Sequence, residues 1–148
     1  MEETMGLTLL AHYNVRTTRL AETRDFYCDV LGLTDGYRPP FDFPGHWLYC
    51  GERDVLHLVG VETDAKDGLD AYLGAKDAAG LSGGGAIDHV AFTADDLPAM
   101  VARLEKSGLE ARHRRVPSLG LYQIFVDDPN GITIELNFAA AEAPAAAE

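Results

Sequence analysis

The sequence predicts an α+β fold: two βαβββ modules that together form an open eight-stranded cup. Three observations predict it. Short runs of alternating apolar and polar residues, bounded by Gly, Pro, Asn and Asp, mark strands. Two helix signals each open on a capping residue and stop at a glycine. The order strand, helix, three strands then occurs twice. His12 and His89 lie 77 positions apart, as do Leu20 and Leu97, and His57 and Glu135 lie 78 apart. Two copies of a unit this long make a stacked pair rather than a solenoid. The first module is placed at 7–60, a linker at 61–86, the second module at 87–138 and a frayed tail at 139–148.

The elements follow in order. Residues 7–15 alternate, with Leu9, Ala11, Tyr13 and Val15 on one face and Thr8, Leu10, His12 and Asn14 on the other. Thr18 is the expected N-cap of a helix over 20–31 that Gly32 stops. A short strand at 33–38 leads into a stiff loop holding Pro39, Phe41, Phe43 and Pro44. His46–Cys50 and Asp54–Val59 form a hairpin around Gly51-Glu52-Arg53. A helical turn or two is placed near 66–79, and Gly83-Gly84-Gly85 closes the linker. A strand at 87–93 precedes a helix that Asp95 or Asp96 caps, with Pro98 in its first turn and Gly108 as its stop. Strands at 109–115, 120–126 and 132–138 complete the second module.

The last strand carries the chemistry. Asp128-Pro129-Asn130-Gly131 is a turn, with φ fixed at Pro129 and positive φ tolerated at Asn130 and Gly131. Ile132, Ile134, Leu136 and Phe138 then form an apolar face, and Thr133, Glu135 and Asn137 the other. A carboxylate in mid-strand is costly unless wet, paired or bound to metal. His12, His57, His89 and Glu135 all fall opposite the apolar faces of their strands. Imidazoles and a carboxylate suit one first-row divalent metal ion, and two histidines with one carboxylate and open positions suit non-haem Fe(II).

Composition narrows the partners. Of 148 residues, 47% are apolar, and no apolar run is long enough for a bilayer. A net charge of −12 argues against nucleic acid or an anionic membrane as partner and says nothing about a small-molecule substrate, since a local pocket can differ in sign from the whole. Met1-Glu2-Glu3-Thr4 has no signal-peptide pattern, and Cys28 and Cys50 have neither metal nor redox spacing, so a reduced cytoplasmic protein is expected.

With Asp88-His89-Val90-Ala91-Phe92 and Asp128 to Leu136, the chain resembles the vicinal oxygen chelate superfamily over about residues 7–138. That group holds glyoxalase I, methylmalonyl-CoA epimerase, extradiol ring-cleaving dioxygenases and the fosfomycin- and bleomycin-resistance proteins. The resemblance implies metal ligands on the first and last strands of each module, here His12, His57, His89 and Glu135, and a homodimer. The second ligand is a glutamate in glyoxalase I and a glutamine in the epimerase, where this chain has His57. His12, His89 and Glu135 match the extradiol two-histidine, one-glutamate triad, but Phe125 stands where those enzymes often carry a tyrosine. The reaction implied first is an extradiol-type dioxygenase with Fe(II) or Mn(II). A glyoxalase-type isomerase, lyase or epimerase with Zn, Ni or Co comes next, and a non-catalytic binding or resistance protein last. Glu135, Tyr122 and His46 are the candidate catalytic groups. Arg112, Arg114 and Arg115 read as a solvated strand face, and His113 as a structural or surface histidine.

Overall fold

In the computed structural model, which describes residues 6–61 and 81–144, each module forms one four-stranded mixed sheet. The first holds β1 (Tyr13–Thr17), β2 (Thr34–Gly36), β3 (Gly45–Cys50) and β4 (Arg53–Gly60), in the order β1-β4-β3-β2. The second holds β5 (Val90–Thr93), β6 (Arg112–Val116), β7 (Leu121–Asp127) and β8 (Thr133–Ala139), in the order β5-β8-β7-β6. In both, the first strand runs parallel to the last and the remaining pairs are antiparallel. A parallel pair needs a crossover, and the helix after the first strand supplies it. The expected 66–79 turns lie outside the described residues.

Register sorts the side chains. Leu48 opposes Leu56, and Trp47 opposes His57. Leu48, Leu56 and Leu58 are fully buried on the helix side, which turns Trp47 and His57 to the other face. In the second sheet Ile124 opposes Leu136 and Tyr122 opposes Phe138 on the helix side, so Phe125–Glu135 and Gln123–Asn137 share the opposite face. One core joins both modules: Phe26, Tyr27, Leu48 and Leu56 pack in the same cluster as Leu97, Met100, Ile134 and Phe138.

The helices depart from expectation in detail. α1 covers only Leu20–Asp25, and the chain continues as a π turn over Phe26–Val30, with Leu31 N–H donating to Phe26 O at 3.1 Å. Thr18 does not cap it. Arg19 holds the cap position, and its N–H donates to Thr17 Oγ1 at 2.8 Å. α2 spans Leu97–Ser107, capped by Asp96, whose side chain accepts from Ala99 N–H, and closed by Gly108 at φ 74°. The first strand starts six residues later than 7–15 predicts, at Tyr13, because the ladder to β4 begins at Tyr13–Leu56. Residues 6–12 run ahead of that ladder, with Leu7, Leu9 and Leu10 exposed. The expected frayed tail is partly built: β8 reaches Ala139, a 3₁₀ turn covers Ala140–Glu142, and Glu142 Oε1 accepts from Leu97 N–H at 3.0 Å.

The Asp128–Gly131 turn clamps the modules together. Asp128, 4% exposed, accepts at Oδ1 from Asn130 N–H and Ile132 N–H at 2.7 and 2.9 Å. Its Oδ2 accepts from the Tyr27 hydroxyl of the first module at 2.7 Å. Asn130 accepts from Thr17 Oγ1 at 2.5 Å and donates through Nδ2 to Thr23 Oγ1 at 3.0 Å. Burial, with Tyr13 and the Asp128 carboxylate beside it, holds the Tyr27 phenol well above the usual tyrosine range.

Candidate metal centre

The four expected ligands form two pairs, one per sheet, both on the faces turned away from the core. His12 directly precedes β1, and its ring stacks on His57 with centroids 3.7 Å apart. The other face of His57 stacks on Trp47 at 3.9 Å, nearly parallel. His57 is 8% exposed, and its Nε2 donates to Asp54 Oδ2 at 2.7 Å. That bond leaves Nδ1 as the nitrogen with a free lone pair. Burial lowers the His57 pKa, with Asp54 opposing, so a neutral imidazole is favoured; the same bond lowers the Asp54 pKa. Asp54 was not singled out in the sequence. Its signal is the Asp-x-x-His spacing at the start of β4.

The second pair stands at the head of β5. His89 Nε2 lies 3.5 Å from Glu135 Oε1, and its Nδ1 donates to Asp88 Oδ2 at 2.8 Å. The Asp88 bond, helped by Glu135, raises the His89 pKa. Glu135 is only 9% exposed, and its Oε2 accepts from Asn137 Nδ2 at 2.8 Å. A carboxylate this deep calls for a cation, and neutral or deprotonated donors of this kind fit a divalent metal.

Among the described residues, the one group of three or more such donors within 4.8 Å of one another is His12, Asp54 and His57. His89 and Glu135 stand outside that group. The pocket at His57, lined by Asn14, Arg38, Phe41, Phe43, Trp47 and Val59, measures about 30 Å³. That is room for a water or two, so a substrate there needs another wall.

Two expected catalytic groups face elsewhere. Tyr122 pairs with buried Phe138 across β7–β8, on the face opposite Glu135, and its hydroxyl meets His113 Nδ1 at 2.7 Å. Strand alternation turns it away, and Phe125 is the residue that opposes Glu135. His46 opposes buried Leu58 rather than His57, and its Nδ1 sits 2.9 Å from Asp35, which also accepts from Arg24. Arg114 is not merely solvated, because its Nε and Nη2 both donate to Gln123 Oε1.

Comparison with known proteins agrees with this architecture. Glyoxylase I 4 of Arabidopsis thaliana is 28% identical over 135 residues, covering 89% of this chain and 71% of that protein. The crystal structure of a lactoylglutathione lyase from Agrobacterium tumefaciens superposes with a TM-score of 0.61 at 21% identity, covering 92% of this chain and 97% of that one. TnmS3, an antibiotic binding protein from Streptomyces sp. CB03234, superposes with a TM-score of 0.60 at 20% identity, covering 92% and 99%. These two structural likenesses bear on the fold alone. With paired βαβββ sheets and a family model matching residues 9–136, the chain belongs to the Glyoxalase/Bleomycin resistance protein/Dioxygenase superfamily.

Proposed function

We propose that this protein is a metal-dependent enzyme acting on a small substrate with two adjacent oxygens, and that it works as a homodimer. One observation carries the reading: two complementary ligand pairs, His12–His57 and His89–Glu135, lie on core-averted faces, and the close donor group at His12, Asp54 and His57 does not include the second pair. A second copy brings the missing pair to each and the missing wall to the shallow His57 pocket. The exposed Leu7, Leu9, Leu10 and Ile87, just ahead of the first strand of each sheet, give that copy an apolar surface to cover.

Bound between these pairs, one divalent ion supplies a Lewis acid for adjacent substrate oxygens. The chain does the rest. Asp54 fixes the His57 tautomer, and the Trp47–His57 stack holds the ring's plane. Phe41, Phe43 and Trp47 line an apolar wall beside it. Glu135 is the carboxylate on this face, and it takes a proton from a carbon next to the chelating oxygens only when its Oε1 leaves the ion.

This geometry favours glyoxalase-type proton transfer, with Zn, Ni or Co, over the extradiol reaction that the triad first suggests. Ring cleavage would leave the site without a phenol, since Phe125 opposes Glu135 and Tyr122 faces away. The aromatic wall beside His57 supports a second reading, a binding protein that sequesters a flat ligand. Unpaired Cys28 and Cys50 accord with a location in the cytoplasm.

Mixing variants tests the assembly. A His12→Ala/His57→Ala chain and a His89→Ala/Glu135→Ala chain each bind no ion tightly. Mixed in equal amounts through reversible unfolding, they recover about a quarter of the wild-type sites if the ligands come from two chains, and none if they come from one. Hemithioacetal turnover or solvent-proton exchange, without oxygen uptake on catechols, checks the reaction. A wild-type protein that takes up no divalent ion moves the assignment to the binding protein.

A further inference from the structure

A row of hydrogen bonds crosses the second sheet from its edge to Glu135. Arg114 on β6 donates through Nε and Nη2 to Gln123 Oε1 on β7, at 3.0 and 2.6 Å. Gln123 Nε2 donates to Asn137 Oδ1 on β8 at 2.8 Å, and Asn137 Nδ2 donates to Glu135 Oε2 at 2.8 Å. Gln123 is 5% exposed, so its amide has no water to fall back on.

The ends of the row set its direction. A guanidinium can only donate, and an ionised carboxylate can only accept. The two amides between them must therefore point the same way. If Asn137 turned over, its oxygen would face Glu135 Oε2 and its NH₂ would face Gln123 Nε2, losing two bonds at once.

We propose that Arg114 is a positioning residue for Glu135, acting through this one-way amide relay. It keeps Oε2 engaged and leaves Oε1, the oxygen 3.5 Å from His89 Nε2, as the one offered to an ion. Among the described residues no carboxylate pairs with Arg114. Its guanidinium also stands over the Phe125 ring at 5.3 Å, and together these contacts hold it in one pose. The inference rests on Glu135 being a metal ligand.

Charge and relay make opposite forecasts, which allows a decisive test. Removing a cation beside a metal site tightens cation binding by charge alone, whereas breaking the relay loosens it. The variants are Arg114→Met and Arg114→Lys in the full chain, with Co(II) and Zn(II) affinity measured by competition with a chromophoric chelator. Arg114→Met is expected to bind 10- to 100-fold more weakly, on the order seen when partners of ligand residues are lost. Arg114→Lys still donates and is expected to stay near wild type. Unchanged or tighter binding by Arg114→Met overturns the proposal. A second readout needs no metal: in the ion-free protein, the Gln123 and Asn137 side-chain amide resonances should be shifted and protected in wild type and Arg114→Lys, and should collapse in Arg114→Met. If wild type takes no ion but these resonances behave so, the metal reading fails and the relay stands. If they are the same in all three proteins, the relay fails whatever the metal does.

Discussion

At the residue scale, Glu135 is the most constrained group of the proposed site. Glu135→Ala is expected to lose divalent-ion binding by calorimetry while the melting temperature of the ion-free protein changes little, because a buried charge is removed along with its partner's bond. His57→Ala should lose binding as fully if His57 is a ligand, and Asp54→Asn should lose about 10-fold through the tautomer it sets. A His57→Ala protein with unchanged affinity removes that residue from the ligand set. The faces of His57 and Glu135 were legible because period-2 alternation fixes which face a strand residue takes. Asp54, Gln123 and Asn137 were not, because their roles depend on which strands neighbour one another. His46 and Tyr122 lie on the faces opposite His57 and Glu135. Residue type suggested chemistry, but the register sent both side chains to the other face.

At the element scale, the Asp128–Gly131 turn does more than reverse the chain. Its turn chemistry was readable from composition, but its hold on Thr17, Thr23 and Tyr27 spans more than 100 positions and leaves no local signal. Asn130→Ala removes one bond from each of two threonine hydroxyls, which keep Arg19 N–H and Arg19 O as partners, and should cost about 1 kcal/mol in urea melts. Tyr27 gives the turn a pH signature. Its folded pKa is raised, so its contribution is complete below the unfolded value of about 10 and falls as pH rises past it. Urea midpoints should therefore drop above about pH 10, and Tyr27→Phe should flatten part of that drop while lowering stability at pH 7. The cap of α2 separates two effects. Asp96 has φ 59°, so Asp96→Gly should cost less than the roughly 1 kcal/mol expected of Asp96→Ala, which loses the cap and keeps the left-handed backbone. The later helix followed its caps as written. The earlier one stops at Gly32 as written, at φ 91°, but Thr18 does not cap it, and its second half is a π turn at Phe26–Val30 that seats Tyr27 against Asp128 of the other module.

At the scale of the whole molecule, the repeat foretold two modules of strand, helix and three strands but not the order of strands within each sheet, and the shared core of both modules was visible only as two apolar sets with no stated relation. Ion binding and association are expected to be coupled. Adding Zn(II) should raise the dimer fraction in sedimentation, and chelation should lower it, since a ligand that needs both chains favours the paired state by mass action. A protein that binds the ion and remains a monomer would place all four ligands in one chain. The Tyr27–Asp128 and Asn130–Thr17 bonds have a bearing on this. They act as a spacer bar, so the distance between one chain's two ligand pairs is a built dimension rather than a hinge to be shut. Metal capture should then be a step change in stoichiometry with no gradual shrinkage of the individual chain, a distinction that small-angle scattering along a zinc titration can draw.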